Sequence, residues 1–564
     1  MKKIICLSLI TLLSISIFAQ EIPFKFQKSE VFKDEFKESQ IVLSEEDGNG
    51  GILIVRSYKA SGISPNAGYY FEHYDGNLKL LNEYDFQIKH PVSQKTPIVL
   101  GVFKTEKKIR IIEMFYDINE KSYICLANSI GANDFVLEKK ELFRFTRDEV
   151  KQYGGLSLSE TFYQNANMKS LINGSFGSLS EESPFSFDFS FNGKSEKNSS
   201  SGGNSKMALV VNKEKNTFSI VLNFNKKDNS DRLKIYLFDN QLNKKIDRDF
   251  TKDTKDRKYF LQNIELSKDG NSIYLLSKSY PKEMSDKEKG GKYQFEITKF
   301  TQDKVEHQIF DTKEHFIGSL KTIVKDEKLI CIGFYSDEYD KRYKGVSYFE
   351  LDPLTLEVKK SKFNPFTEQF ILDKYGKIKN KELKYLTFKN LLTTENNELI
   401  FNAEESYIRT TSGSYTSGIY SPNGGYSSGR TYYNYDDVVS IKIDEEGNLL
   451  WARNINKRQT GDEVDSFVSY TSTLINNNAY YFINASEKIK NLDNNRIEFR
   501  DTRKNKYNLN LIRINEKGDF DYQEILDDEE NEVPFMVGNG IKSGNSVFFL
   551  GRKGTKKQLL KVSL

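Results

Sequence analysis

Tyrosine is concentrated in one stretch of the chain, residues 407–435, together with two arginines and many glycine and serine residues. Tyrosine offers a large contact area at low entropic cost, and glycine and serine make a loop adaptable, as in antibody loops. Rings that carry hydroxyl groups also suit sugars and peptides. The stretch therefore predicts a ligand-binding segment; a low-complexity loop, or a long hairpin that caps a channel, is the alternative. The candidate contact residues are Tyr407, Arg409, Tyr415, Tyr420, Tyr426, Arg430, Tyr432 and Tyr433.

Motifs for catalysis or metal binding are weak. The four histidines are scattered, and the sequence has no HExxH, no GxSxG and no phosphate-cradling glycine loop. The acidic run 527–532 lacks the alternate-ligand spacing of a calcium loop and is typical of a solvated loop. We therefore assign no catalytic residue, no metal site and no cofactor. Carboxylates from different repeats could still meet at a channel mouth, as glycoside hydrolysis requires.

The elements that would position these residues are repeated strands. Eight times, a run rich in β-branched and aromatic residues follows a short polar turn, which indicates a hairpin. The runs begin at Ile52, Ile109, Thr217, Ser272, Leu329, Glu398, Ala479 and Ser546. A second hairpin follows in most units, as in residues 438–455, where the turn DEEGN separates two extended runs. Units of four antiparallel strands, repeated along the chain, are the sequence form of a β-propeller.

The two ends of the chain fit the same pattern. The last residues, KKQLLKVSL, look like a third strand that has no fourth strand after it, and IPFKFQKSEVF from Ile22 offers the missing strand. Pairing of the two ends would leave no exposed sheet edge. We predict an all-β chain forming a single β-propeller of eight four-stranded blades, with seven as the alternative, closed by its N- and C-terminal strands.

A resemblance to a known group rests on these repeats and on two partial motifs. Asp352, Leu354 and Thr355 match part of one pattern, and Gly447 with Trp451 matches another part. The chain resembles bacterial secreted β-propellers of the PQQ-like and WD40-like group over nearly its whole mature length. The resemblance implies that the first strand of each blade lies nearest the channel. Quinone-binding members carry an Asp, Thr-Gly and Trp pattern in each blade, and here its parts fall in different blades. No quinone cofactor is therefore expected.

The connections between strands divide into two sets, which a propeller places on opposite faces. The turns inside each hairpin are short, whereas the connections between hairpins and between units hold nearly every long insertion. We expect one propeller domain, 20–564, with insertions at 146–205 and 407–436. The long-loop face is the predicted binding face because a rigid scaffold commonly carries function on its loops. Tolerance of surface loops to insertion is the alternative explanation.

The first residues predict the compartment. Residues 1–19 combine Lys2 and Lys3 with an apolar run that is shorter than the roughly 20 residues of a membrane span, which is typical of a signal peptide. Removing both lysines leaves 81 basic residues (83 less 2) against 80 acidic ones, a net charge of +1 that indicates no nucleic-acid partner. We expect a secreted or periplasmic monomer without a transmembrane segment.

Two cysteines remain after the signal peptide, Cys125 and Cys331, each within an apolar run. Buried free thiols are expected there, with a disulfide between them as the alternative. The functional hypothesis is an exported non-enzymatic binding or scaffold protein that presents a loop-rich face to a glycan, peptide or protein. The alternative is a propeller hydrolase or lyase acting on polysaccharide, with acidic residues near the central channel.

Overall fold

Antiparallel sheets account for most of the chain. The computed structural model describes residues 22–35, 38–59, 67–88, 94–105, 108–132, 134–152, 206–225, 231–251, 256–281, 293–313, 315–337, 342–378, 383–410, 431–461, 466–500 and 507–564. The predicted signal peptide 1–19 and residues 153–205 of the predicted insertion lie outside this set.

The first half of the chain forms four sheets that follow one another in sequence. Two short strands precede them, β1 (Lys25–Lys28) and β2 (Phe32–Lys33). Sheet 1 contains β3 (Glu38–Glu46), β4 (Ile52–Lys59), β5 (Ala67–Tyr74) and β6 (Leu80–Gln87). Sheet 2 contains β7 (Gln94–Thr105), β8 (Lys108–Asp117), β9 (Ser122–Gly131) and β10 (Leu137–Thr146), and helix α1 (Arg147–Gln152) follows it. Sheet 3 contains β11 (Lys206–Val211), β12 (Thr217–Asn225), β13 (Asp231–Asp239) and β14 (Lys244–Thr251). Sheet 4 contains β15 (Asp256–Leu266), β16 (Ile273–Pro281), β17 (Gln294–Phe300) and β18 (Val305–Ile309).

The second half continues the pattern with additional elements. Sheet 5 contains β19 (Phe316–Lys325), β20 (Lys328–Ser336), β21 (Gly345–Leu351) and β22 (Val358–Pro365), and helix α2 (Glu368–Tyr375) follows it. Sheet 6 contains β23 (Leu386–Thr393), β24 (Leu399–Thr410), β25 (Thr431–Ile443) and β26 (Leu449–Ile455), and β27 (Lys457–Gly461) extends it. Sheet 7 contains β28 (Thr471–Ile475), β29 (Asn478–Ala485), β32 (Asn508–Ile514) and β33 (Phe520–Leu526). Between β29 and β32 lie the short strands β30 (Lys490–Asn491) and β31 (Ile497–Arg500). Sheet 8 contains β34 (Ile541–Ser543), β35 (Ser546–Lys553) and β36 (Lys556–Ser563).

The two ends of the chain share sheet 8, as the sequence predicts. Strand β1 pairs antiparallel with β36, with Phe26 opposite Val562, and β2 pairs with the start of the same strand. The N-terminal strands therefore supply the fourth position of a sheet whose other three strands come from the C-terminus.

Burial on both faces explains why the second strand of a sheet such as sheet 1 carries consecutive apolar residues rather than an alternating pattern. In β4, Ile52 and Ile54 belong to a buried cluster with sheet 8, whereas Leu53 and Val55 belong to a cluster with sheet 2. Successive side chains of a strand point to opposite faces, so a strand covered on both sides needs apolar residues at every position.

Buried apolar clusters join consecutive sheets. They connect sheets 1 and 2, sheets 2, 3 and 4, sheets 4 and 5, sheets 5 and 6, sheets 6 and 7, and sheets 7 and 8. A further cluster contains Ile54 of sheet 1 and Phe548 of sheet 8, so the last sheet also packs against the first.

The tight turns lie at one end of each sheet because neighbouring strands are antiparallel. They also contact the neighbouring sheet: the Lys245 ammonium donates to the carbonyl of Gly270 at 2.7 Å, and the Arg248 guanidinium donates to the carbonyl of Thr301 at 3.1 Å. Both acceptors lie in hairpin turns of sheet 4, while both donors lie on β14. The connections between hairpins and between sheets therefore lie at the opposite end.

Cys125 and Cys331 are buried free thiols, as expected. Burial raises the pKa of the Cys331 thiol to about 12. Among the described residues, no helix is long and apolar enough to cross a membrane.

Candidate functional site

Strands β24 and β25 form a hairpin that extends beyond the rest of sheet 6. Tyr407 lies opposite Asn434, Arg409 opposite Tyr432, and Thr410 opposite Thr431. We call residues 406–410 and 431–437 the hairpin base. Both ends of the predicted insertion 407–436 are thus paired strands, and only residues 411–430 lie outside the described part of the chain.

Four of the eight predicted contact residues lie on the hairpin base, but the structure does not bring all four to one surface. Tyr407, Arg409 and Tyr432 share one face, because directly opposite residues and residues two apart point the same way. Tyr433 points to the other face. The other four predicted residues lie outside the described part of the chain: Tyr415, Tyr420, Tyr426 and Arg430.

The shared face combines aromatic rings with a cation. The exposed Arg409 guanidinium carbon lies 5.4 Å from the ring centroid of half-buried Tyr432, within the range of a cation–π contact. Tyr385, just before β23, adds a ring that is 55% exposed and lies 5.4 Å from the Tyr407 ring. We call Tyr385, Tyr407, Arg409 and Tyr432 the aromatic strip. Tyr385 is not predicted from the sequence, because no local pattern places it beside a residue 22 positions later.

Asp436 lies at the inner end of the same face. Its Oδ2 accepts a hydrogen bond from the Tyr407 hydroxyl at 3.0 Å, while its buried Oδ1 has no partner within the described residues. Burial, together with the nearby Glu405 and Asp437 carboxylates, raises the pKa of Asp436 to about 6. Burial and the Asp436 carboxylate likewise raise the pKa of Tyr407 to about 12.

Helix α2 contacts the hairpin base through an ion pair. Its Lys374 ammonium donates to Asp437 at 2.6 Å and to Glu405 at 2.8 Å. Burial alone would lower the pKa of Lys374, but the two carboxylates outweigh it and raise the pKa. The helix is capped by the Thr367 hydroxyl and ends at Gly376 in the left-handed conformation. This helix is absent from the predictions made from the sequence, although the Thr and Gly at its ends are the usual signals.

A buried ion pair joins β24 to β27 next to the hairpin base. The Lys457 ammonium of β27 donates to Glu404 of β24 at 2.8 Å, and both side chains are fully buried. Lys389 of β23 approaches the same carboxylate at 2.9 Å, and the Ser469 hydroxyl donates to it at 2.8 Å. Burial would raise the pKa of Glu404, but Lys389 and Lys457 outweigh it and lower the pKa to about 2.

Strand β27 links the hairpin base to the connection between β29 and β32 of sheet 7. It pairs antiparallel with β25, Tyr435 lying opposite Gln459, and parallel with β31, Lys457 lying opposite Phe499. The connection within sheet 7 therefore continues the surface of sheet 6. Three supports, α2, the buried ion pair and β27, hold the aromatic strip in a defined position.

The residues that match parts of the quinone-docking pattern make hydrogen bonds to the backbone. Asp352 accepts hydrogen bonds from the backbone N–H groups of Leu354 and Thr355 at 2.8 and 2.9 Å, which forms a turn. The Trp451 indole donates to the carbonyl of Glu516 in sheet 7 at 3.1 Å. Within the described ranges, no group of three or more His, Cys, Asp or Glu side chains could hold a metal ion.

The arrangement of the sheets defines the class of protein. Sheets of four antiparallel strands, each packed face to face on the next in chain order, make a β-propeller. Most sheets in the described part of the chain have four strands, and the N-terminal strands pair with the last strand of the chain.

No protein-family model matches the sequence, and no curated protein matches it. Among solved structures, the chain is similar to the β-propeller domain of the Trilobed protease from Pyrococcus furiosus, with 8% identity, 83% of this chain and 93% of that chain covered, and a TM-score of 0.33. The chain is also similar to the Pyrococcus horikoshii acylaminoacyl peptidase, with 7% identity and a TM-score of 0.33; the match covers 81% of this chain and 49% of that chain. This chain thus spans about half the length of that peptidase. A polysaccharide lyase has 10% identity and a TM-score of 0.32, with 95% of this chain and 99% of that chain covered.

Proposed function

We propose that this chain is an exported, non-enzymatic binding or scaffold protein that uses the aromatic strip to bind a glycan, peptide or protein. The observation that carries the proposal is the position of Tyr407, Arg409 and Tyr432 on one face of a strand pair held by three supports. Rigid rings and an exposed guanidinium give contact area at low entropic cost, which is how binding hot spots are built.

The wider setting is part of the same proposal. Eight blades closed by the N- and C-terminal strands would present the hairpin base on the face that carries the long connections. The pattern of residues 1–19 supports export to the periplasm or the medium. The repeats support grouping with PQQ-like and WD40-like propellers, and we expect a monomer.

A binding screen with matched variants tests the proposal. Arrays of immobilised glycans and peptides are probed with the chain starting at Gln20. In one variant, an Asn-Gly turn replaces residues 411–430 and joins Thr410 to Thr431, which lie directly opposite each other. A second variant is Tyr432→Ala. The control is Tyr522→Ala, because that ring is 42% exposed and lies on β33 of sheet 7, which is not part of the hairpin base.

We expect Tyr432→Ala to weaken binding at least about tenfold, the effect of losing one hot-spot side chain. The Asn-Gly variant reports whether residues 411–430 add affinity, and Tyr522→Ala should bind like the wild type. Equal binding by the wild type and Tyr432→Ala would remove the aromatic strip from the proposal.

A second candidate function is polysaccharide cleavage. Asp436 favours it, because a carboxyl with a pKa of about 6 beside Glu405 can change protonation near neutral pH, as general acid–base catalysis requires. The test is release of new chain ends from a panel of polysaccharides by the wild type and Asp436→Asn. Release by the wild type that Asp436→Asn abolishes would favour catalysis over binding alone.

A further inference from the structure

Asp436 lies where β25 changes partner. Val438 and the residues after it pair with β26, whereas Tyr435 and the two residues before it pair with β27. Asp436 falls between the two pairings. Its carboxylate is held only by the Tyr407 hydroxyl, and the buried Oδ1 lacks a donor in the described part of the chain. A buried charged oxygen without a donor makes this conformation costly.

The cations near Asp436 are engaged by other carboxylates. The Lys457 ammonium is bonded to Glu404, and the Lys374 ammonium lies between Asp437 and Glu405. The ionised Asp436 therefore adds negative charge to a site whose nearest ammonium groups already have partners. The charged and titratable groups around it are Glu405 and Tyr407 on β24, Asp437 on β25, Lys457 and Arg458 on β27, and Lys374 on α2.

We propose that Asp436 is a proton-operated latch at the hairpin base: its neutral carboxyl stabilises the pairing of β25 with β27, and its ionised carboxylate loosens that pairing. The inference rests on the proposed function, because it adds regulation to the same site. Its test needs no ligand, so it can fail while the binding proposal stands, and the reverse also holds.

The sign of the effect follows from linkage. We call the hairpin base closed when β25 pairs with β27. The pKa of Asp436 is about 6 in this closed state, against an ordinary value of 3.8, so the carboxyl binds its proton more tightly when the base is closed. The closed base is therefore most stable at low pH and loses stability as the pH rises from about 4 to about 6. Because the side chain is partly exposed, we expect the closing equilibrium to weaken on the order of 10- to 100-fold across this range.

Native-state hydrogen exchange measures the latch directly. Protection of the amides of residues 433–435 and 459–461 is followed at about pH 4.5 and about pH 7.5, after correction for the intrinsic exchange rate. The β12–β13 pairing of sheet 3 serves as the internal reference, because it lies in a different sheet. The samples are the wild type, Asp436→Asn and Tyr407→Phe.

In the wild type, protection at the hairpin base should fall 10- to 100-fold relative to the reference on going to the higher pH. Asp436→Asn, which stays neutral, should remain protected at both pH values. Tyr407→Phe removes the one donor to the carboxylate among the described residues and should lose more protection at the higher pH than the wild type does. A wild-type ratio that does not change with pH overturns the latch, as does an Asp436→Asn variant that keeps the wild-type slope. Should Asp436→Asn not fold, an unchanged slope in Tyr407→Phe also overturns it.

Discussion

Arg56 holds the N-terminal segment of the chain against sheet 1, and its replacement by methionine should destabilise the protein strongly. The guanidinium donates to Asp34 at 2.7 Å through Nη1 and to Glu72 through Nε at 2.7 Å and Nη2. The three side chains are only 3% to 4% exposed. Asp34 follows β2, whereas the other two residues lie on β4 and β5. The ion pairs therefore connect the segment that completes sheet 8 to sheet 1.

The expected magnitude comes from removing one member of a buried ionic group. Methionine would leave Asp34 and Glu72 buried without their cation, a change that usually costs about 3–5 kcal/mol. The guanidinium also lies 5.0 Å from the Phe32 ring centroid and 5.1 Å from that of Tyr70. Loss of these cation–π contacts adds to the cost, so we expect Arg56→Met to lower the free energy of unfolding by about 4 kcal/mol.

Urea unfolding at neutral pH measures the loss, with Arg144→Met as the matched control. Arg144 also contacts two carboxylates, Glu120 and Glu141, but its side chain is 45% exposed. An exposed pair contributes little, so the control should lose less than about 1 kcal/mol. Equal losses in Arg56→Met and Arg144→Met would refute the reasoning, because they would mean that the Arg56 group is not buried as described.

Three further predictions concern other parts of the fold. Glu404→Gln should make the melting temperature less sensitive to acid, as measured by melting at a series of pH values. The pKa of Glu404 is depressed to about 2 from 4.5, so the stabilisation by this carboxylate is present above about pH 4.5 and is lost as the pH falls towards 2. Gly447→Ala should lower the free energy of unfolding by about 1–3 kcal/mol, because Gly447 has a φ of 80° and a Cβ there would overlap the Tyr348 ring. Urea unfolding measures the loss, and Gly554→Ala, at an open site with a φ of 65°, is the control variant. Cys331 should resist alkylation in the native protein and react after unfolding, because it is buried and its pKa is raised to about 12; mass spectrometry with and without denaturant reads this out.

The sequence predicts the sheets well because their chemistry is local. The run from Ile52 begins with four consecutive apolar residues, ILIV, since the strand is covered on both sides, and the polar turns before such runs mark the hairpins. The pairing of the chain ends is also predictable, because the C-terminal strand lacks a fourth partner in its own unit. The extension of sheet 6 by β27 is not predictable, since its sequence, KRQTG, carries no strand signal.

The site is predicted only in part because its contacts join distant positions. Tyr407, Arg409 and Tyr432 stand out by composition, and the structure brings them to one face. The Glu404–Lys457 pair joins residues 53 positions apart, and nothing near either residue in the sequence indicates that both are fully buried. Electrostatics of this kind depends on tertiary packing, which residue type and spacing do not reveal.

The two ends of the chain pair within one sheet, and a disulfide between those ends tests that pairing most directly. Gln27 and Lys561 lie directly opposite each other on β1 and β36, and both are half-buried. Oxidation of the double variant Gln27→Cys and Lys561→Cys should give an intramolecular cross-link, seen as faster migration on a non-reducing gel and a higher melting temperature. The control pair Gln27→Cys and Lys304→Cys, whose second cysteine lies in a turn of sheet 4, should stay reduced. Failure of the first pair to cross-link, or cross-linking only between molecules, would contradict the pairing of the chain ends.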